Sequence, residues 1–200
     1  MKRFASLFVA AALSLSSIAY AKGSEKYIFD PAHTQILFSV NHLGFSYPHG
    51  RFNKFSGGFT FDLAHPEKSR VDITVDTNSI DMASEDWNRM MKGDNFFNVK
   101  KFPAMTFKSA KIETTGKNTG KVIGDLAILG VTKPVTLDVT YNKSGIHPYN
   151  KNYVAGFSAT TKINRTDFGM TWGLPGIGEE VTVDIQVEGI RQDFEGLSKK

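Results

Sequence analysis

Five histidines, His33, His42, His49, His65 and His147, are the side chains in this chain best suited to hold a metal or move a proton near neutral pH. His33 and His42 flank one extended run. Nine residues apart, they fall at opposite parity and up to about 30 Å from each other at roughly 3.3 Å per residue. His42 and His49 can approach across a turn, but no third ligand stands near them in sequence, so the spacing argues against a metal site. Nucleophilic chemistry fares no better. Gly44-Phe45-Ser46-Tyr47-Pro48 has proline where a nucleophile elbow needs its second glycine, and no helix follows. Asp76, Asn78 and Asp81 have the wrong spacing for a calcium loop, with Ile80 at a ligand position. The expectation is a binding protein rather than an enzyme, with no catalytic residues, no metal and no cofactor.

The elements that would position a site are strands. Val71, Ile73 and Val75 alternate with Asp72, Thr74 and Asp76, and the same period runs through Val135–Asn142 and Val181–Glu188. Further strands are expected near 27–29, 35–41, 59–62, 105–112, 122–128 and 153–161. With no helices between them, they predict an antiparallel all-β fold. Periodicity alone leaves open a sandwich or a closed barrel, because both bury one face of each strand. One short helix is expected, with Trp87, Met90 and Met91 on its apolar face and Gly93 as a left-handed C-terminal cap. The turn from His42 to Gly50 and the long connection from Asn164 to Glu180 are rich in aromatics and glycine, which points to function.

Bulky aromatics fill the strand positions: fourteen of the 16 phenylalanines lie beyond residue 21. Their alternation, as in Phe59-Thr60-Phe61, turns rings to one side of a sheet. Residues 1–21 read as an export signal: Lys2 and Arg3, an apolar stretch to Leu15, then Ala19-Tyr20-Ala21. Residues 22–200 then form a single domain, expected in the periplasm. Without Lys2 and Arg3 the 24 basic residues fall to 22 against 20 acidic, a net of +2. No basic run remains to follow a phosphate backbone, so nucleic acid is not an expected partner. Frequent charged connections and short strands argue against stable membrane insertion as an outer-membrane barrel. The absence of cysteine excludes disulfides, thiolate zinc sites and thiol-attached haem.

Asp30 to His33, His42-Leu43-Gly44-Phe45-Ser46, Gly50-Arg51-Phe52, Asn95-Phe96-Phe97-Asn98-Val99, Gly130-Val131-Thr132-Lys133-Pro134-Val135 and Thr166-Asp167-Phe168-Gly169 occur here in an order and spacing that resemble the YceI-like family of periplasmic proteins. The resemblance covers almost all of 22–200. It implies a lipocalin-like antiparallel β-barrel of about eight strands whose interior binds a long isoprenoid lipid, a polyprenyl phosphate or ubiquinone-like molecule. One departure is Trp87-Asn88-Arg89-Met90-Met91, where the family often has Arg-Asp-x-His-Leu; charge is exchanged for aromatic and thioether groups. On this reading Phe38, Phe59, Phe61, Met105, Phe107, Leu126 and Phe157 face the lipid tail, with Trp87, Met90 and Met91 as a helical wall. His42, Arg51 and Arg165 are head-group candidates by position. Transient contact with a membrane or membrane protein follows from such cargo, while the oligomeric state is left open. The competing expectation is a stress-related interaction protein with a solid core and no lipid.

Overall fold

Alternating sequence builds strands, and here the strands close on themselves. The computed structural model describes residues 23–192, so the segment read as an export signal lies outside the described residues. In chain order the elements are β1 (Glu25–Phe29), β2 (Gln35–His42), β3 (His49–Phe52), β4 (Phe55–Phe61), β5 (Arg70–Asp76), β6 (Ile80–Asp81), α1 (Glu85–Lys92), β7 (Ala104–Thr114), β8 (Thr119–Ile128), β9 (Val131–Ile146), β10 (Tyr153–Asn164) and β11 (Ile177–Arg191). All pairings are antiparallel.

The eleven strands make eight staves. β1 pairs with β4 while β2 pairs with β3; β4 pairs with β5 while β3 pairs with β6. Each of the couples β1/β2, β3/β4 and β5/β6 is thus one stave broken partway along. β7 to β10 follow as continuous staves, and β11 closes the ring by pairing with both β1 and β2. The barrel expected from the resemblance is present, and the sandwich left open by periodicity is not.

The breaks are chemically supported. Between β1 and β2, Pro31 lacks an N–H, and the side chain of Thr34 takes over the ladder: its Oγ1 donates to the Glu188 carbonyl at 3.1 Å and accepts from the Glu188 N–H at 3.2 Å. The other two breaks lie side by side and share Ser79. The Asn53 N–H donates to its carbonyl, and the Lys54 N–H to its Oγ. Asp76 caps the short turn Thr77–Ser79 by accepting from the Asn78 N–H at 2.9 Å. β3 and β6, with four and two residues, are too short to show alternation, which is why nine strands rather than eleven are expected from sequence.

Helix α1 begins at Ser84, whose hydroxyl accepts from the Trp87 N–H. Gly93 ends it with φ −77°, so the left-handed cap expected there is corrected: the Gly93 N–H reaches the Met90 carbonyl from an extended backbone, which needs no glycine. No described helix is long and apolar enough to cross a membrane. The apolar side chains of β9 and β11 point into the barrel and the polar ones outward, the reverse of a membrane-spanning barrel.

The interior divides into two clusters. Around the helix end lie Ile36, Phe52, Val75, Ile80, Phe96 and Phe168, and at the opposite, hairpin end lie Tyr27, Phe61 and Ala155. There Tyr27 stacks on Phe59 at 4.9 Å and donates to Glu25, whose carboxylate also takes Arg191 at 2.8 Å. Arg191 in turn lies over the Tyr153 ring at 5.0 Å. Burial and the neighbouring Glu25 carboxylate push the Tyr27 hydroxyl far above its ordinary range, so it stays a donor. The Arg191–Glu25 pair is 12% and 19% exposed, so both charges have lost most of their water. Arg191→Met removes one charge of this pair and should lower unfolding stability by about 3 kcal/mol; urea titration of the two proteins reads the loss, and an unchanged midpoint would show that the pair adds nothing to the barrel.

Candidate ligand-binding cavity

Inward side chains of all eight staves surround a cavity of about 570 Å³. Its wall is built by the period of two: Val71, Ile73 and Val75 from β5, Val135, Leu137 and Val139 from β9, and Val181, Val183, Ile185 and Val187 from β11. β7 to β11 hold 10 to 16 residues each, or roughly 33 to 53 Å of wall at about 3.3 Å per residue. The lining accordingly extends from Trp87, Met90 and Trp172 at the helix end to Leu63, Arg70 and Lys117 at the hairpin end.

The structure places every residue expected to face a lipid tail on this lining. Phe38, Phe59 and Phe61 contribute from the broken staves; Met105, Phe107, Leu126 and Phe157 contribute from β7, β8 and β10; Trp87, Met90 and Met91 contribute from α1. Phe59 and Phe61 meet Phe157 edge-on at 5.4 and 5.1 Å. Gly189 is the inward position that lets the Phe59 ring lie flat, since a Cβ there would run into that ring. Residues not singled out from sequence include Phe52, Phe96, Phe97, Met82 and Met170 at the helix end. Phe96 and Phe97 follow the helix in an irregular segment, where neither helical nor strand periodicity marks an inward face.

The three head-group candidates separate. His42 lines the cavity at the helix end, its ring 5.8 Å from that of Trp87. Arg51 does not line it. Its side chain is 54% exposed and pairs with Asp81 at 3.2 Å, which, after the Ala83 N–H and Asn53, helps hold the Asp81 carboxyl below its usual range. Arg165 lines the cavity and is only 5% exposed. Its Nε donates to the Gly178 carbonyl at 2.7 Å, Nη1 to Met170 at 2.8 Å and Nη2 to Ile177 at 3.0 Å. The guanidinium therefore ties the loop 169–176 and the start of β11 together over the barrel end. Among the described residues no carboxylate pairs with it, and burial pulls its pKa below the ordinary value. Three of its five N–H groups are used on carbonyls, and two are left.

Around the same end stands an exposed apolar rim. Leu43, Phe45 and Tyr47 are 55%, 87% and 64% exposed, and Trp172 and Leu174 are 45% and 42% exposed. The two loops are joined by the Leu43 N–H on the Gly176 carbonyl at 2.8 Å. Trp172 also packs on Phe96 at 5.4 Å, so the rim runs directly into the lining.

Known proteins share this fold. A UPF0312 protein of Shewanella denitrificans is 38% identical over 174 residues, 86% of this chain and 91% of its own. The crystal structure of Burkholderia cenocepacia BcnA superposes with a TM-score of 0.74 at 26% identity, covering 80% of this chain and 98% of that one. A polyisoprenoid-binding domain from Saccharophagus degradans, implicated in plant cell wall breakdown, has the same fold at 16% identity, with a TM-score of 0.63 over 84% of this chain and 99% of its own. Residues 27–189 match the YceI-like domain, almost the whole closed barrel, and the chain belongs to the YceI-like family.

Proposed function

We propose that the protein binds one polyisoprenoid lipid inside the barrel and carries it through the periplasm after export. The observation that supports this is the continuous apolar lining of a cavity of about 570 Å³ reaching along the barrel. The polyisoprenoid-binding domain with the same fold supplies the ligand class. At roughly 30 Å³ per heavy atom, the volume holds about nineteen atoms, close to four isoprene units. Each unit contributes roughly 4 kcal/mol gross on burial, so four approach the practical affinity limit before ordering costs are subtracted. A longer chain leaves part of itself outside the cavity.

The lipid lies with its head at the helix end, beside His42 and Arg165, and its tail toward Phe61 and Phe157. The rim of Leu43, Phe45, Tyr47, Trp172 and Leu174 then meets the membrane from which the lipid is taken, burying apolar surface in the headgroup boundary while the barrel stays in water. The cavity also weighs against the solid-core interaction protein, because a filled interior has no such space. Among the described residues no set of acid, base and nucleophile converges on the lining, which favours carriage over turnover.

Native mass spectrometry of protein purified from its own cell envelope, followed by organic extraction, should find one isoprenoid per chain; a bare mass persisting after incubation with ubiquinone and polyprenyl phosphate would overturn the reading. Leu126→Trp, which projects an indole toward the cavity opposite Phe107 on the neighbouring strand, should reduce lipid retention by at least about tenfold while unfolding stability is kept or raised. Retention at the original level would remove Leu126 from the lipid's path. Polyprenyl phosphate should bind about tenfold or more tightly than the uncharged polyprenol of the same length, because the phosphate takes the two remaining N–H groups of Arg165 in charge-assisted hydrogen bonds and a neutral hydroxyl does not; equal affinities would restrict Arg165 to holding the loop.

A further inference from the structure

The outer wall of the barrel carries a second constellation, polar where the cavity lining is apolar. We propose that Asp30, His33, Glu188 and His147 form a binding site for a divalent cation of the zinc type. Asp30 and His33 belong to the break between β1 and β2, Glu188 to β11, and His147 to the loop between β9 and β10. One ligand atom from each of Asp30, His33 and Glu188 lies within 4.8 Å of the others. Asp30 Oδ2 and His33 Nδ1 are 2.8 Å apart, and the His147 ring centre is 6.5 Å from that of His33.

The positions are set by backbone bonds. The Asp30 N–H donates to the Glu188 carbonyl at 2.8 Å, and the Thr34 hydroxyl holds both the N–H and the carbonyl of Glu188. The His147 N–H donates to Asn152 at 2.7 Å and its carbonyl accepts from Lys151 at 3.1 Å. Tetrahedral zinc with ligand bonds near 2.0–2.1 Å needs donors about 3.3 Å apart. The Asp30–His33 pair opens by a few tenths of an ångström, and the partly exposed His147 ring closes by about 1 Å. Two carboxylates neutralise the dication, and two neutral imidazoles select zinc, copper or nickel over calcium and magnesium.

Protons compete for the same groups. The hydrogen bond and charge of Asp30, then the charge of Glu188, raise the His33 pKa, while His33, the Ala32 N–H and His147 hold Asp30 below its usual value. Among the described residues Asp30, Glu188 and His147 are the titratable groups facing His33, and metal binding weakens as pH falls because protons compete with the cation for its ligands. The cation would tie the first broken stave to β11 and to the β9–β10 loop.

Isothermal titration of zinc chloride into the full chain without an affinity tag, at neutral pH, should give one saturable site per chain. His147→Ala and His33→Ala should each lower its affinity by at least about tenfold. His65→Ala, whose ring lies 3.6 Å from Asp62 on another loop, should leave it unchanged. His147 sits in a loop held by its backbone, so its variant keeps the fold even where changes at Asp30 do not. An absent saturable phase, a preference for calcium, or weak binding insensitive to His33 and His147, an adventitious ion only, would each overturn the site.

Discussion

Closure through β11 is the constraint on which the rest of the structure depends. This strand takes β10 along one edge and both β1 and β2 along the other, so the sheet has no exposed seam at that point. The arrangement works only because the first stave is broken: β1 meets β11 at Gly189–Arg191 and β2 meets it at Ile177–Gln186. Between them Thr34 bonds to Glu188 and keeps the ladder supplied where Pro31 cannot. A continuous first stave would have no reason to bend there. The same turn brings Asp30 and His33 against β11, so one device for closing the barrel also gathers the polar cluster on its outer wall.

Closing eight staves fixes a radius that aromatic side chains at the two ends do not fill along the middle. An empty apolar space carries a cost. Taking about 24 cal/mol per Å³ as measured for small engineered cavities, 570 Å³ corresponds to on the order of 10 kcal/mol, comparable to the whole stability of a typical domain. Valine, isoleucine and leucine line most of β5, β9 and β11 where aromatic residues would fill the space, so the void is built by residue choice. A bound hydrocarbon chain restores the missing contacts, and the occupied barrel becomes the more stable form by linkage.

What was legible in sequence follows from how local each signal is. Alternation within a strand is local, and Phe59, Phe61, Phe107 and Phe157 can be assigned to the inner face without knowing their neighbours. The breaks are less visible. β3 and β6 carry too few residues for a period, and Ser79 gains meaning only once it is seen beside Asn53 and Lys54. Arg51 and Arg165 stand in similar sequence settings near aromatic turns, yet one lies outside paired with Asp81 and the other is buried against the cavity. Parity relative to a broken stave and a loop that folds back decide between them, and neither is local. Asp30 and Glu188 are far apart in the chain and meet only through the closing seam, which is why the histidine spacing by itself argues against a metal.

Arg165 shows how the site and the fold depend on one another. Removing a guanidinium from water costs several kcal/mol unless its charge and its donors are met. Here the carbonyls of Met170, Ile177 and Gly178 meet three donors with partial negative charge, while among the described residues no carboxylate pairs directly with the guanidinium and Glu179 acts on its charge only from a distance. Those carbonyls stand at the two ends of the loop that carries Trp172 and Leu174, Met170 at its start and Ile177 and Gly178 in β11 just after it, so the cation organises the rim at the same time as it stands on the cavity wall. A phosphate arriving with the lipid would supply the missing countercharge and fix the loop more firmly. A neutral head would leave the guanidinium as it is, so the charge of the cargo decides how tightly the helix end holds together.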